Sequence, residues 1–171
     1  MNQDKALRIL NKYSPMPDDE ELTEEIVNEY RKAIDYLYEN PPGIIFLKPL
    51  LHSLGAYDGW GVYEITRSIL VSYDISQVIP YMKDELLSKL DGRRYWCTLL
   101  AIDFPDESLI PMLLKTLNDP VEDIRVNSVM ALESIGNKSV IDELITRSKL
   151  ENDEDVIEVF QEAINSLQSE I

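Results

Sequence analysis

The chain has 171 residues, of which 44% are hydrophobic and 28% charged, and its formal net charge at pH 7 is −16. This composition predicts a folded, soluble protein with a real hydrophobic core and excludes a disordered chain. The charge argues against direct nucleic-acid binding, because Lys and Arg contacts to phosphate supply most of that affinity. It favours a basic protein partner, although an acidic surface also serves solubility alone.

Membrane insertion and disulfide formation are not expected. No apolar run approaches the roughly 20 residues that a membrane-spanning helix needs. The first residues lack the basic start and apolar block of a signal peptide. Cys97 is the only cysteine, which excludes an internal disulfide and suits a reducing compartment. We therefore expect a cytoplasmic protein.

The first 43 residues predict a helical cap on the remainder of the chain. Apolar residues predict a short helix within 1–13, which Pro15 and Pro17 end. The acidic run at 18–21 predicts the start of a second helix, because carboxylates are favoured at helix N-termini. Four apolar residues at helical spacing then form one stripe, namely Ile26, Tyr30, Ala33 and Leu37.

The rest of the chain, 44–171, repeats itself. Arg94 recurs as Arg125, and Ile79-Pro80 recurs as Ile110-Pro111. A period of about 31 residues indicates stacked helix pairs, each of which buries its apolar face against the next. The predicted pairs are 44–54 with 60–73, 76–90 with 93–104, 107–118 with 121–135, and 138–150 with 153–167.

The most regular copy contains Asn118-Asp119-Pro120, Ile124-Arg125, Ala131-Leu132 and Ile135-Gly136. It resembles the short HEAT-like repeats named after phycobilin lyase components. The resemblance implies an all-α fold, a right-handed α-solenoid of about four helix pairs, with 44–171 as one continuous array behind the cap. It also implies that Asp119 and Arg125 belong to a structural polar ladder between repeats. The first and last repeats depart from the pattern, because each lacks the Arg.

Repeat arrays of this kind hold partners on an inner surface lined by the second helix of each pair. Tyr95 and Trp96 are adjacent aromatic residues flanked by carboxylates, as in a binding hot spot with a polar rim. The alternative is that one or both pack between helices. The candidate contact residues are Trp60, Glu64, Tyr95, Trp96, Leu99, Asp103, Asn127, Met130, Glu158 and Glu162.

Two stretches suggest a more specific partner. Trp60-Gly61-Val62-Tyr63-Glu64 and Arg94-Tyr95-Trp96 are similar to segments of small acidic bacterial immunity proteins. That resemblance implies a non-enzymatic protein that neutralises a toxin by covering its basic active site. The predicted partner is therefore a basic protein, and the predicted oligomeric state is a monomer or weak dimer.

No sequence motif predicts catalysis, a cofactor or a metal site. His52 is isolated, and Cys97 aligns with Ser128 and Phe160, which predicts an inert core thiol. The acidic run at 151–155 lacks the glycine of a calcium loop and is interpreted as the start of a helix. Two alternatives stay open: a lyase-type or assembly chaperone, which needs a chromophore handle or aromatic pocket, and a HEAT-like nucleic-acid enzyme, which needs a basic groove.

Overall fold

The computed structural model describes residues 1–169, and its regular elements over that range are all helical. Three short 3₁₀ turns, Ile44–Phe46, Glu107–Leu109 and Lys138–Val140, each lead directly into an α-helix. The α-helices are α1 (Gln3–Lys12), α2 (Glu24–Glu39), α3 (Leu47–Ser53), α4 (Tyr63–Val71), α5 (Ile75–Glu85), α6 (Asp91–Asp103), α7 (Ile110–Thr116), α8 (Glu122–Ile135), α9 (Ile141–Ser148) and α10 (Glu154–Ser169). The all-α prediction is confirmed.

The predicted start of the second helix at residues 18–21 is wrong. These residues form a turn in which the Glu21 N–H donates to the Asp18 carbonyl at 2.8 Å. Helix α2 begins instead at Glu24, where the Thr23 side chain caps it by accepting a hydrogen bond from the Ile26 N–H. A hydroxyl that satisfies a first-turn N–H thus determines the start, rather than the acidic run.

The helix predicted to begin at Trp60 also starts later, at Tyr63. Gly59, Trp60 and Gly61 have φ values of 61°, 55° and 80°, which a right-handed helix cannot contain. Trp60 therefore lies on the loop before α4 and not on the helix itself.

The helices form two compact units, of which unit 1 comprises residues 1–81 with 90–93. Within it, α1 packs on α2 and α3, and α4 packs on α2 and α3. The fully buried Tyr30 of α2 shares hydrogen bonds with Ser53 Oγ of α3 at 2.8 Å and Thr66 Oγ1 of α4 at 2.9 Å. Helices of residues 1–43 thus pack on the first predicted repeat, while the domain boundary at 43 stays a prediction.

Unit 2 comprises residues 82–89 and the chain from Arg94 onwards. Within it, α8 packs on α7 and α10, and α9 packs on α10. A buried hydrogen bond of 2.7 Å between Thr116 Oγ1 and Ser128 Oγ joins α7 to α8. Gly136 ends α8 with a φ of 72°, a left-handed conformation that glycine adopts without a Cβ clash.

Helix α10 presents one apolar face to α8 and α9. Its buried residues recur at helical spacing and are Val156, Phe160, Ala163, Ile164 and Leu167. None of the helices described between residues 3 and 169 is long and apolar enough to cross a membrane.

Deletion of residues 153–171 should cause aggregation, because it uncovers the apolar faces of α8 and α9. Size-exclusion chromatography and thermal melts would measure this. The full-length double variant Glu158→Gln/Glu162→Gln, which removes charge but keeps the apolar face, should remain monodisperse. A soluble truncated chain with one cooperative transition would contradict the expectation.

Candidate partner-binding surface

Two buried ion pairs join successive repeats of unit 2. Arg94 binds Asp119 with both guanidinium nitrogens, Nε to Oδ2 at 2.6 Å and Nη2 to Oδ1 at 3.1 Å. Arg125 binds Glu151 in the same way, Nε to Oε2 at 2.7 Å and Nη2 to Oε1 at 3.1 Å. All four side chains are largely buried. The predicted polar ladder through Asp119 and Arg125 is confirmed.

Each arginine also holds the loop of its own repeat. Arg94 Nη1 donates to the Ser88 carbonyl at 2.9 Å, and Arg125 Nη1 donates to the Asp119 carbonyl at 3.0 Å. In both cases the carbonyl lies six residues before the arginine. One guanidinium thus ties together the loops of two repeats, and the planar fork of Arg suits that task.

Glu151 is the residue of this structural ladder that the sequence pattern does not predict. The acidic run 151–155 predicts the start of a helix and gives no sign of a ladder residue. Its spacing from Arg125 is 26 residues, close to the 25 residues between Arg94 and Asp119. That spacing was a usable signal. The residue type differs between the two repeats, because Glu151 occupies the position that Asp119 occupies in the repeat before it. The correspondence is therefore hard to see in the sequence.

The pKa of Glu151 is lowered below its usual 4.5. Burial by itself raises this pKa, but the hydrogen bond from Arg125 and those from the Asn152 and Asp153 N–H groups outweigh burial. Because folding lowers the pKa, the unfolded chain holds more protons on Glu151 than the folded chain does between about pH 4.5 and the folded-state pKa. The stabilisation is therefore present above that pH and is lost as pH falls through the folded-state pKa.

We expect the Glu151→Gln variant to show a weaker loss of stability than the wild type as pH falls below about 4.5, since the titrating group is gone. At pH 7 the same variant should be destabilised by about 3 kcal/mol, because Arg125 then lacks its buried counter-charge. Urea denaturation across pH measures both effects. The matched control is Glu143→Gln, which changes an exposed carboxylate of α9. If the Glu151 variant behaved like this control, Glu151 would not be the counter-charge of Arg125.

Trp96 is not a surface residue. Its side chain is 2% exposed and its ring meets that of Tyr95 edge-on, with centroids 5.3 Å apart. Of the two alternatives for this aromatic pair, a binding hot spot or packing between helices, the second holds for Trp96. Tyr95 is half-buried. The hypothesis that Trp96 contacts a partner is wrong, because the same apolar character that suggested a hot spot also directs an indole into the core.

Trp96→Ala should lower the free energy of unfolding by about 3–5 kcal/mol, as expected when a buried tryptophan leaves a cavity. Chemical denaturation would measure the change. Met130→Ala, which truncates a side chain 40% exposed on α8, is the control and should cost far less. Equal losses in the two variants would show that Trp96 is not part of the core.

The remaining candidates divide between the two units. Unit 1 holds Trp60 and Glu64, which is exposed at the start of α4 and lies 3.5 Å from Arg67. Asn127 of unit 2 is 8% exposed, and its Nδ2 has no hydrogen-bond partner within residues 1–169. Asn127 thus lies beneath the surface. The other candidates of unit 2 stay accessible: Tyr95, Leu99 and Asp103 are half-buried, and Met130, Glu158 and Glu162 are exposed.

Helices α8 and α10 are strongly acidic. The sequences of α8 and α10 contain one basic residue, Arg125, and Glu151 neutralises its charge. Within residues 1–169, no ion pair involves Glu158 or Glu162. The carboxylate-bearing residues of the two helices are Glu122, Asp123, Glu133, Glu154, Asp155, Glu158 and Glu162.

Cys97 and His52 are the one cysteine and the one histidine of the chain. Cys97 is fully buried, as expected of a core thiol, and His52 is half-buried on α3. Residues 1–169 contain no group of three His, Cys, Asp or Glu side chains placed to hold a metal ion. An open groove of about 490 Å³ runs between α1 and α2, lined by Lys5, Lys12, Lys32, Glu25 and Glu29 among others.

Helices stacked within unit 2 and joined by a repeated arginine–carboxylate ladder define an α-helical repeat protein. Residues 84–165 match the family model for HEAT repeats, and the match supports a HEAT-like repeat protein. No curated protein matches the chain. HEAT repeats generally act as scaffolds for protein interactions, which is consistent with a binding role. The phycobilin-lyase subtype, the handedness and the number of repeats stay predictions.

Proposed function

We propose that this protein is a non-enzymatic scaffold that binds a basic protein through an acidic strip on α6, α8 and α10. The strip comprises Tyr95, Leu99, Asp103, Met130, Glu158 and Glu162. The observation that carries the proposal is the exposure of Met130 on a surface whose neighbouring helix, α10, bears carboxylates and no basic residue.

The composition of the acidic strip suits a two-part interaction. Met130, with half-buried Leu99 and Tyr95, offers apolar area, and methionine adapts its shape to a partner at little cost. Glu158 and Glu162 supply a charged rim. A rim of one sign steers an oppositely charged protein and raises the association rate, whereas the apolar centre sets the dissociation rate.

The ladder supports this division of charge. Arg94 and Arg125 are held by Asp119 and Glu151. Their positive charge is therefore compensated inside the array, and the acidic side chains of α10 face solvent without a basic neighbour on that helix. A partner rich in Lys and Arg would complete the charge balance that the chain itself leaves open.

The finer form of the proposal is an immunity protein whose partner is a toxin domain. Such a protein needs no catalytic group, because covering a basic active site is sufficient to stop the toxin. In a growth assay, co-expression of this chain with the cognate toxin should restore growth. Growth restored equally by a variant that no longer binds would exclude inhibition by the acidic strip.

Partner capture is the first measurement that tests the strip. A photo-crosslinking amino acid at position 130 should trap a basic protein in native cells, whereas the same group at Lys115, exposed on α7, should not. The trapped protein is then purified for kinetics.

With the purified partner, Met130→Arg should weaken binding at least tenfold, because it places a cation in the apolar centre facing a basic surface. Glu158→Gln/Glu162→Gln should mainly slow association and flatten its salt dependence. Thermal melts should be unchanged in both variants. Wild-type affinity and association rate in both variants would exclude the strip as the binding surface and favour surfaces that bear Lys83, Lys89 or Lys115.

A further inference from the structure

The loop 57–61 between α3 and α4 displays two exposed aromatic residues on an unusual backbone. The side chains of Tyr57 and Trp60 are 63% and 46% exposed. Within the described residues, Trp60 is the one residue other than glycine with a positive φ, which is 55°. Its two neighbours, Gly59 and Gly61, also have positive φ values. A left-handed conformation strains any residue that carries a Cβ.

Several contacts hold this backbone in place. Asp58 Oδ1 accepts a hydrogen bond from the Trp60 N–H at 2.9 Å, and Asp19 Oδ1 accepts one from the Gly59 N–H at 3.2 Å. A Cβ at residue 59 would lie 2.6 Å from the ring of Tyr63, so only glycine fits there. These contacts hold the loop backbone, while the indole of Trp60 stays partly exposed to water.

The surroundings of this aromatic loop are acidic. The bond from Gly59 to Asp19 places the turn 18–21 against the loop, and Asp18, Glu20 and Glu21 of that turn are exposed. Asp58 of the loop is exposed as well. The basic side chain of Arg93 lines a small cavity of about 60 Å³ together with Asp18, at the side where the loop begins.

We propose that the aromatic loop docks an arginine-bearing, extended segment of a partner protein. A guanidinium stacks on the face of Trp60 while the carboxylates of Asp58 and the turn 18–21 accept its hydrogen bonds. A purely apolar partner would leave these carboxylates desolvated, and a second copy of a chain with net charge −16 would be repelled. The site lies wholly in unit 1 and does not depend on the acidic strip.

The test compares two labelled decapeptides of equal charge, one alternating Arg with Gly and one alternating Lys with Gly, by fluorescence anisotropy. The wild-type protein should bind the Arg peptide about fivefold more tightly, because the planar guanidinium stacks on an indole better than an ammonium does. Equal affinities would mean attraction to acidic charge in general and would overturn the proposal.

Substitution of Trp60 supplies the second half of the test. Trp60→Gly and Trp60→Ala should both abolish the preference for Arg. Trp60→Gly should melt at a higher temperature than Trp60→Ala, because glycine is unstrained at this φ. The control Tyr38→Ala removes an aromatic side chain 63% exposed on α2 and should keep the preference. An Arg preference that persists in both Trp60 variants would overturn the proposal.

A measurement on the unmodified protein guards against variants that fail to fold. Trp60 and Trp96 are the two tryptophans of the chain. Since Trp96 is buried, a change in tryptophan emission on adding the Arg peptide reports on Trp60. The Arg peptide should change the emission, and unchanged emission at saturating peptide would overturn the proposal. The peptide tests concern Trp60 alone, so their failure and the failure of the acidic strip can be told apart.

Discussion

The interaction on which the repeats of unit 2 depend is the buried pairing of an arginine with a carboxylate of the following repeat. A helix pair exposes backbone carbonyls and apolar surface at each junction, and both must be satisfied where the next pair stacks. Arg125 does this with one side chain, since it donates to the Asp119 carbonyl in its own loop and to Glu151 in the next. Removing either charge would leave the other buried, which is far more costly than losing an exposed pair.

The same pairing shapes the surface. Because the arginines are used between repeats, they do not offset the carboxylates of α8 and α10 where those face solvent. Each interior pair has no net charge, so the negative charge of the chain comes from its other carboxylates. The buried carboxylates of Asp119 and Glu151 neutralise Arg94 and Arg125. The exposed carboxylates of α8 and α10 can then attract a positively charged molecule from a distance. Exposed charge of one sign attracts partners of the opposite charge, and the basic partner proposed above rests on this general rule.

The two tryptophans show how differently one residue type can be used. Trp96 lies on α6, and its side chain points into the core and fills space there. Trp60 lies on a loop whose two flanking glycines and two aspartate contacts hold the indole toward water. Local geometry rather than hydrophobicity decides which of them can meet a partner.

The helical class, the repeat and most helix positions could be predicted from the sequence, because apolar spacing and a recurring Arg are local signals. The sequence also identified Asp119 and Arg125 as ladder residues and Cys97 as a core thiol. It placed the starts of α2 and α4 wrongly, since Thr23 competes with the acids at 18–21 and since Trp60 adopts a φ that no pattern reveals. The burial of Trp96, the pairing of Glu151 with Arg125 and the contact of Asp19 with a loop 40 residues away are visible only in the folded chain. Each of these depends on which side chains meet in space, and the period of a sequence does not contain that information.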